Sequence, residues 1–271
     1  MKMSKPFEIF SVFWLAFFCL AACPIFSSDL HASGHNTVEQ LEKAFTSAFA
    51  CPEEFKSTKI FHLLGYTEAE IAAIGKITPR PVSLKVEIDR AEASDEFANI
   101  KVTCSQVRYY NLTIATATFE FPECKVDMQS LKQDRIRFTR SNGIKLKTEV
   151  SESDILKVFE LFARAKSLRD LRLQLEKNRA RLGGWYRAGF LTISFRVLGN
   201  VELVNPKVVN FDCSRFTLNR IPLPKHTARS MLSRINPVFD STKTWLNLNI
   251  EDIKILDGYV ETIARIDKKK G

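Results

Sequence analysis

Two periods of apolar recurrence divide the chain. From Thr37 to Ala50 the apolar residues Val38, Leu41, Phe45 and Phe49 fall at helical spacing and predict an amphipathic helix, ended by Cys51-Pro52. Thr67-x-x-Glu70 is a capping-box pattern that opens a shorter helix over 67–74. Pro79 and Pro81 then break helical structure, and from Val82 the period becomes two. Val82, Leu84, Val86 and Ile88 alternate with polar neighbours, as do the stretches 100–105, 136–138 and 144–150. Residues 111–121 (NLTIATATFEF) are rich in Thr and Phe, which suit a pleated, half-buried surface. Ser141-Asn142-Gly143 is read as a tight turn between two of these strands.

A helix is predicted over 151–165, with Ser151 and Asp154 as its cap pair and Ile155, Val158, Phe159 and Phe162 on its apolar face. Alternation resumes at 171–175 and 191–197, meets a turn expected at Gly199-Asn200, and continues through 201–203 and 208–213. Pro222 and Pro224 lead into a helix expected over 225–236, with Ala228, Met231, Leu232 and Ile235 inward. Asp257-Gly258 between two alternating runs marks a closing hairpin.

Strict alternation gives each strand one wet and one dry face. About nine or ten strands at ~4.8 Å each span roughly 45 Å. Two core helices of ~10 Å diameter cover about half of that dry surface. The remainder must curl over, lie under the N-terminal helices, or hold an apolar ligand, because open exposure invites aggregation. The class expected from the alternation is α+β, with an antiparallel sheet that is apolar on one side.

The N-terminus changes the setting. Lys2 and Lys5 precede the apolar run Ile9–Ala22, too short for a ~20-residue membrane span and suited to a signal-peptide core. Leu20-Ala21-Ala22-Cys23 looks like a bacterial lipobox, in which the Cys23 thiol carries the lipid. An ordinary signal peptide cut after Ala32 and an uncleaved anchor are the alternatives; all three place the rest of the chain outside the cytoplasm. The expected organisation is a signal peptide over 1–22, a lipidated tether over 23–36, a helical segment over 37–78, a main domain over 79–267 and a basic tail over 268–271. Pro24 rather than Asp after the lipidated Cys favours an outer-membrane lipoprotein facing the periplasm, the alternative being a soluble secreted or periplasmic protein.

The chain has 271 residues, 45% of them hydrophobic, and a formal net charge of +9. The alternation puts Lys101, Lys145, Lys147, Arg135, Arg137, Arg172 and Arg196 on wet faces, either as plain solvated surface or as attraction for anionic head groups. Arg179, Arg181, Trp185, Tyr186 and Arg187 mix cations with rings, at a membrane interface, at a groove mouth or in a loop of no special role. Nucleic acid is not an expected partner of an exported chain. The catalytic motifs G-x-S-x-G, S-x-x-K, H-E-x-x-H and the P-loop are absent, and the four histidines make no ligand set, so no catalysis, metal or cofactor is expected. Cys51, Cys104, Cys124 and Cys213 are either disulfide partners, with three possible pairings, or free buried thiols.

Several segments together resemble the DUF2993, or LmeA-like, phospholipid-binding family of exported bacterial proteins. They are S-E-S-D-I-L at 151–156, L-R-L-Q-L-E at 171–176, F-L-T-I-S-F-R-V at 190–197, the Pro222–Pro224 lead into a helix, and I-K-I-L-D-G-Y-V near the end. The resemblance spans roughly 80–266; the N-terminal helical part and the cysteines after residue 23 depart from it. It implies a tubular lipid-binding (TULIP-like) architecture, in which a long curled antiparallel sheet wraps amphipathic helices and leaves an apolar groove for acyl chains. The groove candidates are Ile155, Phe159, Phe162, Met231, Leu232, Ile235, Phe195 and Phe119. Arg179, Arg181, Trp185 and Arg187 are candidates for head-group or membrane contact. The expected function is binding of phospholipid or another acyl lipid, for transport or envelope maintenance. The alternative is a non-catalytic envelope scaffold with a closed core and a protein partner.

Overall fold

The computed structural model describes residues 37–50, 81–90, 95–109, 112–165, 167–188, 190–232, 236–243 and 248–266. The export signal, Cys23, the tether, the helix expected over 67–74, Cys51, Ile235 and the basic tail lie outside the described residues.

Antiparallel strands dominate and divide into two sheets. The first has the order β1 (Ser83–Arg90), β2 (Glu96–Tyr109), β3 (Leu112–Val126), β5 (Ile144–Ser151), β13 (Tyr259–Ile266), β12 (Asn249–Leu256), with β4 (Phe138–Arg140) also on β3. The second has the order β10 (Ile221–Pro222), β9 (Val208–Leu218), β8 (Leu191–Asn205), β7 (Arg179–Ala188), β6 (Leu168–Glu176), with β11 (Phe239–Asp240) also on β9. Among the described residues there are four α-helices: α1 (Thr37–Ala50), α2 (Met128–Leu131), α3 (Glu152–Ala165) and α4 (Lys225–Leu232). Mostly antiparallel strands with few helices match the expected class at this level. The division into two sheets was not expected, since alternation marks a dry face without saying which neighbours share it.

The first sheet is guarded at both edges. Leu41, Ala44 and Phe45 form the buried face of α1. Phe45 meets Phe121 and Phe138, which stack on each other with ring centroids 4.8 Å apart. From α1, Glu42 Oε1 accepts the Val86 N–H of edge strand β1 at 3.1 Å. At the other edge the hairpin turns of the second sheet dock on β12. Asn178 N–H donates to Ile255 O at 2.8 Å, Ile250 N–H to Pro206 O at 2.7 Å, and Lys207 Nζ to Leu248 O at 3.2 Å. Unpaired edges invite pairing with other chains, and both edges here have partners inside the fold. One core therefore runs across both sheets, with Ile100, Phe119 and Leu146 from the first joining Leu173, Leu175 and Val209 from the second.

The β5-to-β6 crossing is made by α3. Ser151 Oγ accepts the Asp154 N–H at 3.2 Å and donates to Asp154 Oδ2 at 2.6 Å, the reciprocal cap expected of that pair. Glu152 Oε2 accepts the Leu175 N–H of β6 at 2.5 Å, which anchors the helix start to the second sheet.

Three local expectations are corrected. Ser141-Asn142-Gly143 does not reverse the chain: β4 and β5 both pair with the same edge of β3, on either side of this stretch. Gly143 is required there because φ is +93° and a Cβ would lie 2.9 Å from Ile266 O. Gly199-Asn200 is no turn either. Strand β8 runs through it to Asn205, with a register shift between Leu198 and Gly199. A Cβ on Gly199 would lie 2.2 Å from Asp212 O and 2.6 Å from the Phe211 ring, so this glycine serves close approach rather than reversal. The helix expected to reach 236 does not: Asn236 is non-helical and precedes Pro237, a position that disfavours α backbone. Its side chain instead pairs with Phe211, accepting from its N–H at 2.8 Å and donating to its carbonyl at 3.0 Å.

Candidate functional site

The register of the second sheet sorts its side chains by face. Leu173, Leu182, Val197 and Phe216 lie in one row, and Gly184, Phe195 and Leu218 in the next. Val197 and Phe216 bury against Ala228 of α4, so these rows face the helices. Both helices lie on this face at opposite sides: α3 packs on β6 and α4 on β9. Between them lie the inner positions of β7 and β8: Leu182, Gly184 and Tyr186 against Val197, Phe195 and Ile193. Leu182, Ile193 and Phe195 are half-buried, and Tyr186 and Leu191 are exposed. The strip is apolar and becomes more open toward the end remote from the first sheet.

The groove candidates separate. Phe119 and Ile155 are buried in the main core, and Phe159 packs partly buried against it. Phe195 sits in a second, smaller cluster with Val197, Phe216, Phe211, Cys213 and Leu223. Backbone placement puts Phe162 on α3 and Met231 and Leu232 on α4, but their side chains, like all of Ile235, lie outside the described structure.

The head-group candidates occupy β7, a strand rather than a loop. Gly183 and Gly184 interrupt its alternation and conceal it in the sequence. Arg179 pairs in register with Glu176, whereas Trp185 lies six residues along, ~20 Å away at strand rise. Arg181 donates to Gln174 Oε1 at 2.9 Å and approaches Glu176 at 3.8 Å. Arg179 and Arg181 thus belong to the end near β12, and Trp185 and Arg187 to the free end. Phe190, Leu191 and Ile221 at that free end are strongly exposed. Their signal in the sequence is slight: two large apolar residues directly after Gly189.

The two sheets carry charge differently. On the first, Glu87, Lys101, Glu120 and Lys145 follow one another in register. Lys101 pairs with Glu87 at 3.3 Å, and Lys147 with Glu261 at 2.7 Å and Glu149 at 3.3 Å. These carboxylates hold the Lys147 ammonium above its ordinary range. That face is a self-neutralised ladder. On the second sheet Arg172 and Arg196 flank Gly183 on the outer face, with no ion pair to a described carboxylate.

Nucleophile chemistry finds no support in the described thiols. Cys104, Cys124 and Cys213 are free. Burial pushes Cys104 up to about 12 and Cys124 up to about 11, so both stay protonated and unreactive near neutrality. Cys213 is raised for the same reason. His226 is exposed and exchanges a hydrogen bond with the neighbouring Thr227 hydroxyl. Among the described residues no group of three His, Cys, Asp or Glu could hold a metal ion, and no helix is long and apolar enough to cross a membrane. Thr148 and Thr262, register partners on the inner face of the first sheet, are buried with hydroxyls that lack a partner.

No protein-family model, curated protein or solved structure matches the chain. The functional reading therefore rests on the residues and their arrangement.

Proposed function

We propose that the chain is an exported lipoprotein that binds phospholipid or another acyl lipid, in an apolar slot of TULIP-like character between α3 and α4. The observation that carries this reading is the separation of the two helices on one face of the second sheet. Helices seated on β6 and β9 stand about three strand spacings apart, ~14 Å. Helices packed on each other lie ~8–10 Å apart. The difference leaves room over β7 and β8 for one alkyl chain, above Leu182, Phe195 and Ile193. Each methylene buried there contributes about 0.8 kcal/mol, so eight of them supply about 6 kcal/mol. No covalent step is part of this function, and the lipid anchor on Cys23 would hold the protein at its membrane.

The test is organic extraction of the purified chain followed by mass spectrometry of the extract, for wild type and Ile193→Asp. Phospholipid in the wild-type extract, absent from a folded Ile193→Asp variant, supports the slot. No lipid in either, or an unfolded variant, speaks against it.

A second reading, an envelope scaffold with a closed core, draws on Gly184. A Cβ there would lie 2.7 Å from Leu171 Cδ2 and 3.2 Å from Phe195 Cε1, so the chain's own side chains fill that row. In this reading the partner is another envelope protein.

A further inference from the structure

We propose that the free end of the second sheet is a docking tip for a bilayer surface that carries anionic phospholipid, entered first by the β7–β8 hairpin. This goes beyond the acyl slot and does not depend on it, since surface docking removes no lipid from the bilayer.

The hairpin closes at Ala188↔Leu191 and holds Phe190 at its apex. Phe190 is 92% exposed, Leu191 53%, Trp185 44% and Tyr186 43%. Ile221, 68% exposed, stands on the neighbouring turn of the same sheet end. The opposite turns of this sheet are occupied, because Asn178 and Pro206 bond to β12. The apolar end therefore points away from the rest of the fold.

Dimensions fit a bilayer. Trp185 lies about four residues behind the apex, ~13 Å along the strand. The head-group layer of one leaflet is about 5–7 Å deep. With Trp185 among the head groups, where indole rings favour the interface, Phe190 and Leu191 reach hydrocarbon. A protruding hairpin suits a yielding lipid surface better than the flat, rigid face of a protein.

Charge selects the lipid. From Gly183 to Val201 the chain carries Arg187 and Arg196 and no carboxylate. Arg169 pairs in register with Trp185, and Arg172 and Arg196 flank Gly183 beside it. Asp170, beside Arg169 on β6, is a carboxylate of this end. The guanidinium groups of Arg169, Arg172, Arg187 and Arg196 sit behind the apolar apex, about the level of the head groups, and match a negative surface.

The test uses the full chain with vesicles of brominated phosphatidylglycerol and phosphatidylcholine. Quenching of Trp185 is taken as the difference between the wild type and Trp185→Phe, so attachment through the N-terminal segment does not enter the signal. Trp185 should be quenched on anionic vesicles. Phe190→Asp with Leu191→Asp should weaken this about ten-fold or more. Arg169→Gln or Arg196→Gln should each weaken it about five-fold. Val82→Asp, at a 60% exposed position just before β1, should leave it unchanged. An unquenched Trp185 on chains that float with the vesicles overturns the proposal, as does equal quenching on purely zwitterionic vesicles. A dimer in sedimentation that Phe190→Asp dissociates, with Trp185 unquenched, makes a second copy the occupant and also overturns it.

Discussion

Two glycine-to-alanine substitutions on the same face of the second sheet separate an open slot from a closed core. At Gly199 the added Cβ meets backbone: Asp212 O lies 2.2 Å from its position, with the Phe211 ring at 2.6 Å. Backbone of a paired strand cannot swing aside, so β8 and β9 must part by about 1 Å and weaken their ladder. Overpacking of this kind costs typically 1–3 kcal/mol, and the Gly199→Ala cost should be about 3 kcal/mol. At Gly184 the nearest atom is the far end of a flexible side chain, Leu171 Cδ2 at 2.7 Å, followed by Arg169 O at 3.0 Å and Phe195 Cε1 at 3.2 Å. If the space between α3 and α4 is open, Leu171 and Phe195 move into it. Replacing a strand glycine also recovers about 0.5–1 kcal/mol of backbone entropy. The net cost of Gly184→Ala is then about 1 kcal/mol or less. Urea denaturation followed by circular dichroism measures both, with the transition slope checked for constancy. In thermal terms the pair should differ by roughly 4–8 °C in Tm. Gly184→Ala should also release bound lipid, because Phe195 then occupies the slot. A Gly184→Ala cost equal to that of Gly199→Ala refutes the open slot and leaves the closed core.

The remaining predictions concern the main core. Thr148 and Thr262 bury hydroxyls without partners, and an unsatisfied buried hydroxyl costs about 1–3 kcal/mol. Replacing both with the near-isosteric Val should raise stability in urea by about 2 kcal/mol; a loss of stability would show that the hydroxyls are satisfied after all. Cys104 has a folded pKa of about 12 against an ordinary 9.0, with burial as the cause. A raised folded value means its contribution is complete below about pH 9 and is lost as pH climbs toward 12. Stability should therefore fall from pH 8.5 to 10.5 less steeply in Cys104→Ala than in wild type, and equal slopes would contradict the buried thiol.

Local signals of the chain were legible where one physical requirement had one solution. Ser151 with Asp154 marked the start of α3, and Asp257-Gly258 marked the last hairpin, where Gly258 has φ +81° and nothing within 4 Å of its missing Cβ. Glycine misled where it meets a different need. Gly143 and Gly199 permit close approach of backbone, although the sequence around each suggests a reversal. Strand β7 was obscured because Gly183 and Gly184 occupy the positions where alternation would show. The docking of the second sheet on the first rests on hydrogen bonds between distant turns and β12, such as Asn178 N–H to Ile255 O, for which no local pattern exists. The candidate lining was legible as apolar phase, but phase does not distinguish Phe119, sealed in the main core, from Phe195, beside the strip between the helices. The free-end tip is half legible: Trp185 and Arg187 stand out by composition and Phe190-Leu191 as an apolar pair after Gly189, whereas Ile221 stands out by structure alone.

The central claim is that an acyl chain occupies the space between α3 and α4. Native mass spectrometry of the chain from Pro24 onward, purified from a bacterial periplasm under gentle conditions, tests it most directly. The account predicts adducts at phospholipid masses that disappear after organic extraction, return on incubation with phospholipid, and are absent in Ile193→Asp. A single apo mass from a cooperatively folding protein that takes up no added lipid would contradict it.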